Sequence, residues 1–154
     1  MTDLAFIIEL GNSERPALGH IPAPSIKRRM TDTGCYVVIR DDHAHRRGFI
    51  LHGPPRAGVP LHIYQTCVET DYRLRAWAAQ AVNTVAQRGL LAGATEVNLR
   101  CAADLPALAF WTAIGFTFRQ WHVGGNQRQR LIAEMYLPLS STPSIVRPRR
   151  LTGF

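Results

Sequence analysis

Lysine is almost absent from this chain of 154 residues, which contains 17 arginines and a single lysine. Long apolar runs are absent as well. The longest, LAFII and CYVVI, are far shorter than the roughly 20 residues that a helix needs to cross a bilayer. The N-terminal MTDLAFIIEL carries acidic residues where a secretory signal carries basic ones. We therefore expect a soluble, cytoplasmic protein without a membrane partner.

Cysteine is sparse, and its three copies, Cys35, Cys67 and Cys101, are widely spaced. The sequence contains neither a CxxC pair nor a Cys/His spacing typical of zinc ligands. Each cysteine lies in an apolar, strand-like context, GCYVVI, YQTCV or NLRCA. This pattern predicts three buried thiols, with no disulfide and no metal site.

Negative charge is in short supply, and the formal net charge is +7. Such an excess favours an anionic partner. Coenzyme A, with its several phosphate charges, and a nucleic acid would both satisfy it. A GC-rich genome also favours arginine over lysine, so composition alone does not choose between these interpretations.

The first half of the chain contains several strand-like segments, and its length suits a single domain. We interpret LAFIIEL, residues 4–10, as a strand, followed at 11–24 by a Pro- and Gly-rich stretch in which any helix is short. SIKRRMTD, residues 25–32, predicts one or two helical turns. GCYVVIRD and RGFILHG predict an antiparallel strand pair, and LHIYQTCV, residues 61–68, predicts a further strand.

The second half alternates helices and strands, which indicates a mixed α/β fold. Apolar spacing predicts a helix over residues 73–88 with Gly89 as its stop. ATEVNLRCA follows as a strand, and DLPALAFWTAIGF as a helix capped by Asp104. FTFRQWHV and RLIAEMYLPL form the last predicted strand pair, before a polar, basic segment that begins at Ser140.

The junction between the strand ending at Val68 and the helix starting near Ala76 is a candidate phosphate site. Unpaired backbone N–H groups and the positive end of the helix dipole coincide there. Arg73 and Arg75 add charge that can form forked hydrogen bonds. Arginine and alanine are also ordinary residues for a first helical turn, so a purely structural role is the alternative.

Two linked motifs resemble those of the GNAT superfamily of N-acetyltransferases. Residues 68–78, V-E-T-D-Y-R-L-R-A-W-A, resemble the coenzyme-binding segment, in which a strand-ending Val precedes an Arg/Gln-x-x-Gly-x-Gly/Ala loop; Ala76 replaces the first glycine. Residues 104–116 resemble the family's Asn-x-x-Ala-x-x-Phe-Tyr…Gly-Phe segment, with Trp111 at the tyrosine.

The resemblance implies an α/β (α+β) fold, a single GNAT-like acyl-CoA-binding domain over residues 1–139. Its sheet would be mixed, mainly antiparallel and flanked by helices, and residues 140–154 would form a flexible basic tail. The implied coenzyme-binding positions are Thr66, Cys67 and Val68 at the strand end, Arg73, Leu74, Arg75, Ala76, Trp77 and Ala78 in the loop and first helical turn, and Asp104 in the second motif.

Two further positions take catalytic roles by the same resemblance. His62 lies six residues before Val68, where some relatives place a glutamate base, and an imidazole with its ordinary pKa of about 6.5 suits that task. An exposed histidine at a strand start is the alternative. Trp111 stands where many relatives place a proton-donating tyrosine, although an indole N–H is a far weaker acid. We expect the remaining histidines, including His52 and His122, to be solvated.

The implied function is an acyl-CoA-dependent N-acyltransferase that moves acetyl from acetyl-CoA to a primary amine by direct attack, without a metal. The amine would belong to a small molecule, a peptide or an aminoacyl-tRNA. The alternative is a catalytically weakened GNAT-like protein that binds nucleic acid or a protein partner. Relatives often dimerise through terminal strands, so RLIAEMYLPL is a candidate interface of a homodimer.

Overall fold

The computed structural model describes residues 1–73, 76–124 and 130–139. These residues form five α-helices: α1 Asp3–Ser13, α2 Arg15–Leu18, α3 Ala23–Arg28, α4 Ala76–Ala92 and α5 Ala107–Ala113. The strands are β1 Tyr36–Arg40, β2 Arg46–His52, β3 Leu61–Val68, β4 Glu96–Ala102, β5 Thr117–Gly124 and β6 Arg130–Pro138. A π-helical turn, Arg29–Thr33, follows α3, and a 3-10 turn, Thr70–Tyr72, follows β3. The predicted tail, 140–154, lies outside the described residues.

The six strands form one sheet in the order β1-β2-β3-β4-β6-β5. Every neighbouring pair is antiparallel except β3 and β4, which run parallel. The mixed, mainly antiparallel sheet of the predicted α/β (α+β) class is therefore confirmed. The candidate interface strand, β6, is hydrogen-bonded to β4 on one side and β5 on the other. The exposed edge at this end of the sheet therefore belongs to β5.

Two apolar clusters fill the two sides of the sheet. On one side α4 and α5 pack against all the central strands, through side chains such as Val82, Val97 and Met135. On the other side α1 and α3 cover the first three strands only, through side chains such as Ile7 and Phe49. Helices therefore flank the sheet unequally, and the second side of β4, β6 and β5 carries polar side chains.

The predicted strand at residues 4–10 is wrong, because this segment forms most of α1. The Thr2 side chain accepts a hydrogen bond from the backbone N–H of Ala5 at 3.1 Å and so caps the helix. Ile7, on the inner face of this helix, is fully buried. A short apolar run does not distinguish a strand from a buried helix, and the capping threonine was the available signal.

Two predicted helix boundaries also differ from the structure. Gly89 does not end α4, which continues to Ala92 and stops at Gly93 with φ of 80°. A Cβ at Gly89 would lie 2.8 Å from Leu139 Cδ1, so this glycine permits close packing instead. Asp104 does not cap α5, whose N-cap residue is Pro106.

The three thiols are free and buried, as predicted. Burial raises the pKa of Cys67 to about 12 and that of Cys101 to about 11, so both remain protonated at neutral pH. Within the described ranges, no group of three or more His, Cys, Asp or Glu residues could hold a metal ion. No helix in the same ranges is long and apolar enough to cross a membrane.

Gly48 of β2 lies opposite Val68 of β3. A Cβ at this position would overlap the carbonyl oxygen of Cys67 and lie 3.0 Å from Val68 Cα. Gly48→Ala is expected to destabilise the fold by about 1–3 kcal/mol in urea titrations, as overpacking does. In the control Gly11→Ala, the new Cβ meets only Phe49 Cζ at 3.7 Å, so stability should not fall. If Gly48→Ala and Gly11→Ala changed the free energy of unfolding equally, the close contact between Gly48 and β3 would be contradicted.

His52 is buried, with only 1% exposure, and not solvated as predicted. Arg88 Nη1, which only donates, lies 3.0 Å from His52 Nε2, so Nδ1–H donates to the Gly53 carbonyl at 2.7 Å. Burial lowers the pKa of His52. The hydrogen bond to Gly53 acts in the opposite direction but is the smaller effect, and the charge of Arg88 lowers the pKa further.

This pairing predicts a pH dependence of stability. Below about pH 6.5 the unfolded chain takes up a proton at His52, while the folded chain resists it. The His52 contribution is therefore fully present above that pH and is lost as pH falls toward the lowered folded pKa. Between pH 7.5 and 5.5, Tm should fall less steeply in His52→Gln than in the wild type. Identical slopes would contradict the assignment.

Candidate active site

The parallel strands β3 and β4 separate partway along their length. They pair only through residues 61–63 and 97–99, although β3 continues to Val68 and β4 to Ala102. Beyond Ile63 the backbone of β3 has no ladder partner on the β4 side. The carboxyl halves of the two strands are not paired with each other and bound a cleft in the middle of the sheet.

A bulge in β3 accompanies this divergence. On β2, Leu51 pairs with Gln65 and His52 pairs with Ile63, so Tyr64 is an extra residue in β3. Such a residue bends a strand and reverses the alternation of its side chains. Ile63 accordingly packs with the α4 side of the sheet, whereas Cys67 packs with the α1 side.

The strand end beyond the bulge contains the first three predicted coenzyme positions. Thr66 pairs with Ile50, whose side chain packs on the α4 side, so the Thr66 side chain faces the same side. The buried Oγ1 of Thr66 has no hydrogen-bond partner in the described part of the chain. The thiol of Cys67 is buried on the α1 side. The Val68 carbonyl accepts a hydrogen bond from Arg73 Nε at 3.0 Å.

The loop and the first turn of α4 contain the remaining positions of the first motif. Arg73 turns back to β3 and also pairs with Glu14 at 3.3 Å. Ala76 is the exposed first residue of α4, and Ala78 packs against the core. Trp77 Nε1 donates to Asp42 Oδ1 at 3.2 Å. Leu74 and Arg75 lie outside the described residues.

The turn between β1 and β2 supports this loop. Asp41 pairs with Arg47 at 2.9 Å, and the Arg47 guanidinium lies 3.7 Å from the centre of the Tyr72 ring. Arg47 also pairs with Glu69 at 3.6 Å. Burial acts to raise the pKa of Asp41, but hydrogen bonds from Arg47 and two backbone N–H groups outweigh it and lower the pKa to about 2. This charged network holds the loop before α4 against the sheet.

His62 lies on β3 one rung before the pairing with β4 ends at Ile63 and Leu99. Its Nδ1 is 2.6 Å from Oδ1 of Asn98, its cross-strand partner on β4. The Tyr64 ring meets the imidazole edge-on at 4.9 Å, and the guanidinium of Arg29 lies 4.0 Å above the Tyr64 ring. Arg29 Nε is buried and has no hydrogen-bond partner in the described ranges. These four side chains form a contiguous cluster beside the cleft.

Sequence reasoning missed three members of this cluster. Arg29 belongs to the basic run KRRM, but nothing in that run indicates that it stacks on Tyr64. A polar residue inside the strand segment EVNLRCA was the only available signal for Asn98. The contact with His62 depends on the register of a parallel strand pair, and that register is set by tertiary packing.

The structure places Trp111 in the core, on the opposite side of the sheet from His62. Trp111 is 4% exposed and packs edge-on against Phe110 and Phe116, at 5.0 and 5.1 Å, on the side of the sheet covered by α4 and α5. His62 faces the opposite side, because its neighbours Leu61 and Ile63 join the α4 cluster.

Asp104 pairs with Arg130 of β6 at 3.0 Å. Arg130 also donates to the carbonyl of Pro16 in α2 at 3.1 Å. These contacts connect the segment before α5 to the beginning of β6. They assign Asp104 a structural partner, and its predicted coenzyme contact stays a prediction.

A polar surface extends from the His62 cluster across β4, β6 and β5. Arg119 forms a bidentate pair with Glu96, at 2.7 and 2.8 Å, and lies 4.0 Å above the Tyr136 ring. His122, predicted to be solvated, is half-buried and lies 3.2 Å from Glu134. This surface adjoins Asn98, because Asn98 and Tyr136 are cross-strand partners.

No protein-family model matches the sequence, and no curated protein matches it significantly. Solved structures do match the fold. Ard1 from Thermoplasma volcanium superposes with a TM-score of 0.75 at 12% identity, covering 90% of this chain and 92% of that one. NAA60 from Arabidopsis thaliana, solved with a bisubstrate analogue, gives 0.73 at 17% identity, covering 91% and 94%.

Spermidine N-acetyltransferase from Vibrio cholerae, solved with CoA and spermine, gives a TM-score of 0.71 at 16% identity, covering 89% of this chain and 90% of that one. The chain therefore has the GNAT fold, and the fold implied by the sequence motifs is confirmed. At these identities the likeness establishes the architecture.

Thr66 provides a test of the cleft in the protein without ligand. A buried hydroxyl without a partner costs about 1–3 kcal/mol, and an apolar isostere removes that penalty. Thr66→Val is therefore expected to raise the free energy of unfolding by about 1 kcal/mol, measured by urea titration. In the control Thr84→Val, an exposed hydroxyl on α4 is lost, and stability should hardly change. A clear loss of stability in Thr66→Val would show that this hydroxyl is satisfied in the folded chain.

Proposed function

We propose that this chain is a divergent member of the GNAT superfamily and an acyl-CoA-dependent N-acyltransferase. In this proposal it transfers acetyl from acetyl-CoA to a primary amine by direct attack. The observation that carries the proposal is the divergence of β3 and β4 at the Tyr64 bulge, inside a GNAT fold. The CoA bound in the matched spermidine N-acetyltransferase supports acetyl-CoA as the donor.

The donor would lie along the free edge of β3, with its diphosphate at the first turn of α4. The unpartnered Thr66 hydroxyl is one polar group at that edge that a ligand can satisfy. Because Arg73 already occupies the Val68 carbonyl, we expect pantetheine contacts at other backbone groups of β3. The backbone N–H groups from Arg73 to Ala78 would hold the diphosphate, as the sequence motif implies.

The acceptor amine would approach from the side of the sheet that carries His62. Nε2 of His62 would take a proton from the ammonium, and the free amine would attack the thioester carbonyl. A backbone N–H directed at the carbonyl oxygen stabilises the negative charge of the tetrahedral intermediate. Collapse of this intermediate breaks the C–S bond and expels the thiolate of CoA. The amide nitrogen gives its second proton to that thiolate or to water, so the products are a neutral amide and free CoA thiol. A thiolate is a fair leaving group, so this scheme needs no proton from the buried Trp111.

A nucleic-acid- or partner-binding protein that retains the cleft as a scaffold is the alternative. Much of the basic surface that it would use is already neutralised in the described part of the chain. Six arginines form ion pairs with carboxylates: Arg40, Arg46, Arg47, Arg73, Arg119 and Arg130. This pairing favours the enzyme over the scaffold.

Thiol release separates the two functions, because a scaffold with an intact cleft would also bind the coenzyme. Acetyl-CoA should raise Tm, because a ligand that binds only the folded state stabilises it. Thr66→Val should weaken that response. With a panel of primary amines (polyamines, peptides with free N-termini and amino acids), the wild type should release free thiol. His62→Gln should lower kcat by about 100-fold or more. Absence of any acetyl-CoA response would favour the scaffold function.

A further inference from the structure

The hydrogen bond between His62 and Asn98 determines which imidazole nitrogen carries the proton. Nδ1 of His62 lies 2.6 Å from the amide oxygen of Asn98. An amide oxygen only accepts, so Nδ1 must be the donor. In the neutral ring, Nε2 then carries the lone pair and is free to accept a proton.

The partner is rigidly placed, because Asn98 is directly opposite His62 on the middle of the three paired rungs of β3 and β4. The neighbouring side chains of β4, Val97 and Leu99, are buried in the α4 cluster. Backbone pairing and core packing therefore hold both members of the contact. The pairing ends one rung later, at Ile63 and Leu99, so the imidazole lies next to the inner end of the cleft.

We propose that Asn98 is a positioning residue that holds His62 in the Nδ1-protonated tautomer, with Nε2 directed to the acceptor amine. This inference rests on the proposed function, in which His62 is the general base. A neutral amide suits the role, because a carboxylate at the same place would favour the charged imidazolium and leave less free base at neutral pH.

The charged and titratable groups around the pair are consistent with this role. On the β3 side, the Tyr64 ring meets His62 at 4.9 Å, and the guanidinium of Arg29, in the π-helical turn, lies 4.0 Å from the centre of that tyrosine ring. On the β6 side, Tyr136 is the cross-strand partner of Asn98 and is covered by Arg119. The described surroundings thus place arginines on both sides and no carboxylate in contact with the imidazole.

The tautomer is measurable without substrate or coenzyme. In protein labelled with 15N-histidine, the wild-type His62 signals, assigned by their loss in His62→Gln, should show a protonated Nδ1 and an unprotonated Nε2. Asn98→Leu should shift the ring toward a mixture of both tautomers, whereas the control Asn83→Leu on α4 should not. An unchanged His62 tautomer in folded Asn98→Leu would overturn the proposal.

Kinetics distinguish positioning from structural support. Asn98→Leu should lower kcat about tenfold or more and leave the KM for acetyl-CoA unchanged. Asn98→Asp restores an acceptor for Nδ1–H, so it should retain the tautomer and move the acid limb of the pH–rate profile to higher pH. A pH–rate profile of Asn98→Asp identical to that of the wild type would contradict the positioning role of Asn98. An Asn98-dependent tautomer in a protein that acylates no amine would overturn the proposed function alone.

Discussion

The structure depends on one irregularity in β3. Tyr64 is an extra residue there, with no pairing partner on β2. Hydrogen bonding to β2 continues past the bulge to Val68, where Gly48 permits the close approach of the two backbones. Hydrogen bonding to β4 ends just before it. The result is a strand that is firmly held on one edge and free on the other. That free edge is the feature on which the proposed chemistry depends.

The bulge also places the proposed donor-side and acceptor-side residues on opposite sides of the sheet. Thr66, beyond the bulge, faces the side covered by α4, whereas His62, before it, faces the other side. In the proposed reaction the donor and the acceptor enter from these two sides and meet where the strands diverge. The two buried side-chain polar atoms that lack partners in the described ranges are Thr66 Oγ1, beyond the bulge, and Nε of Arg29, whose guanidinium lies over the bulge residue Tyr64. Unsatisfied groups of this kind are costly in a closed structure and useful in one that takes up a ligand.

Local pattern predicted much of this fold. The β3 strand matches its predicted bounds of 61–68, because alternating apolar and β-branched residues leave little ambiguity. The helix that lies wholly within 11–24, α2, is short, as the sequence required, and the helical turns predicted at 25–32 are present in α3 and the π-helical turn. The first helix was missed because five apolar residues in a row fit either periodicity. Asp104 was misassigned as a cap because its carboxylate instead pairs with Arg130, 26 residues further along the chain.

The candidate site also contains features that the local sequence predicted and features that it did not. The first motif located the strand end and the helix start correctly, since both are local features of the sequence. Asn98 and Arg29 could not be assigned, because their contacts with His62 and Tyr64 depend on strand register and on the path of the chain between α3 and β1. Trp111 occupies the motif position expected from the sequence, but its ring is part of the core.

The most direct test of the account is amide hydrogen exchange with and without acetyl-CoA. Exchange should be slower over residues 64–68 and 73–78 when the thioester is present, because these amides would bind the pantetheine and the diphosphate. Exchange in α1 and at the β5 edge should stay unchanged. No protection in those two segments at saturating acetyl-CoA would contradict the central claim that the free edge of β3 is a coenzyme site.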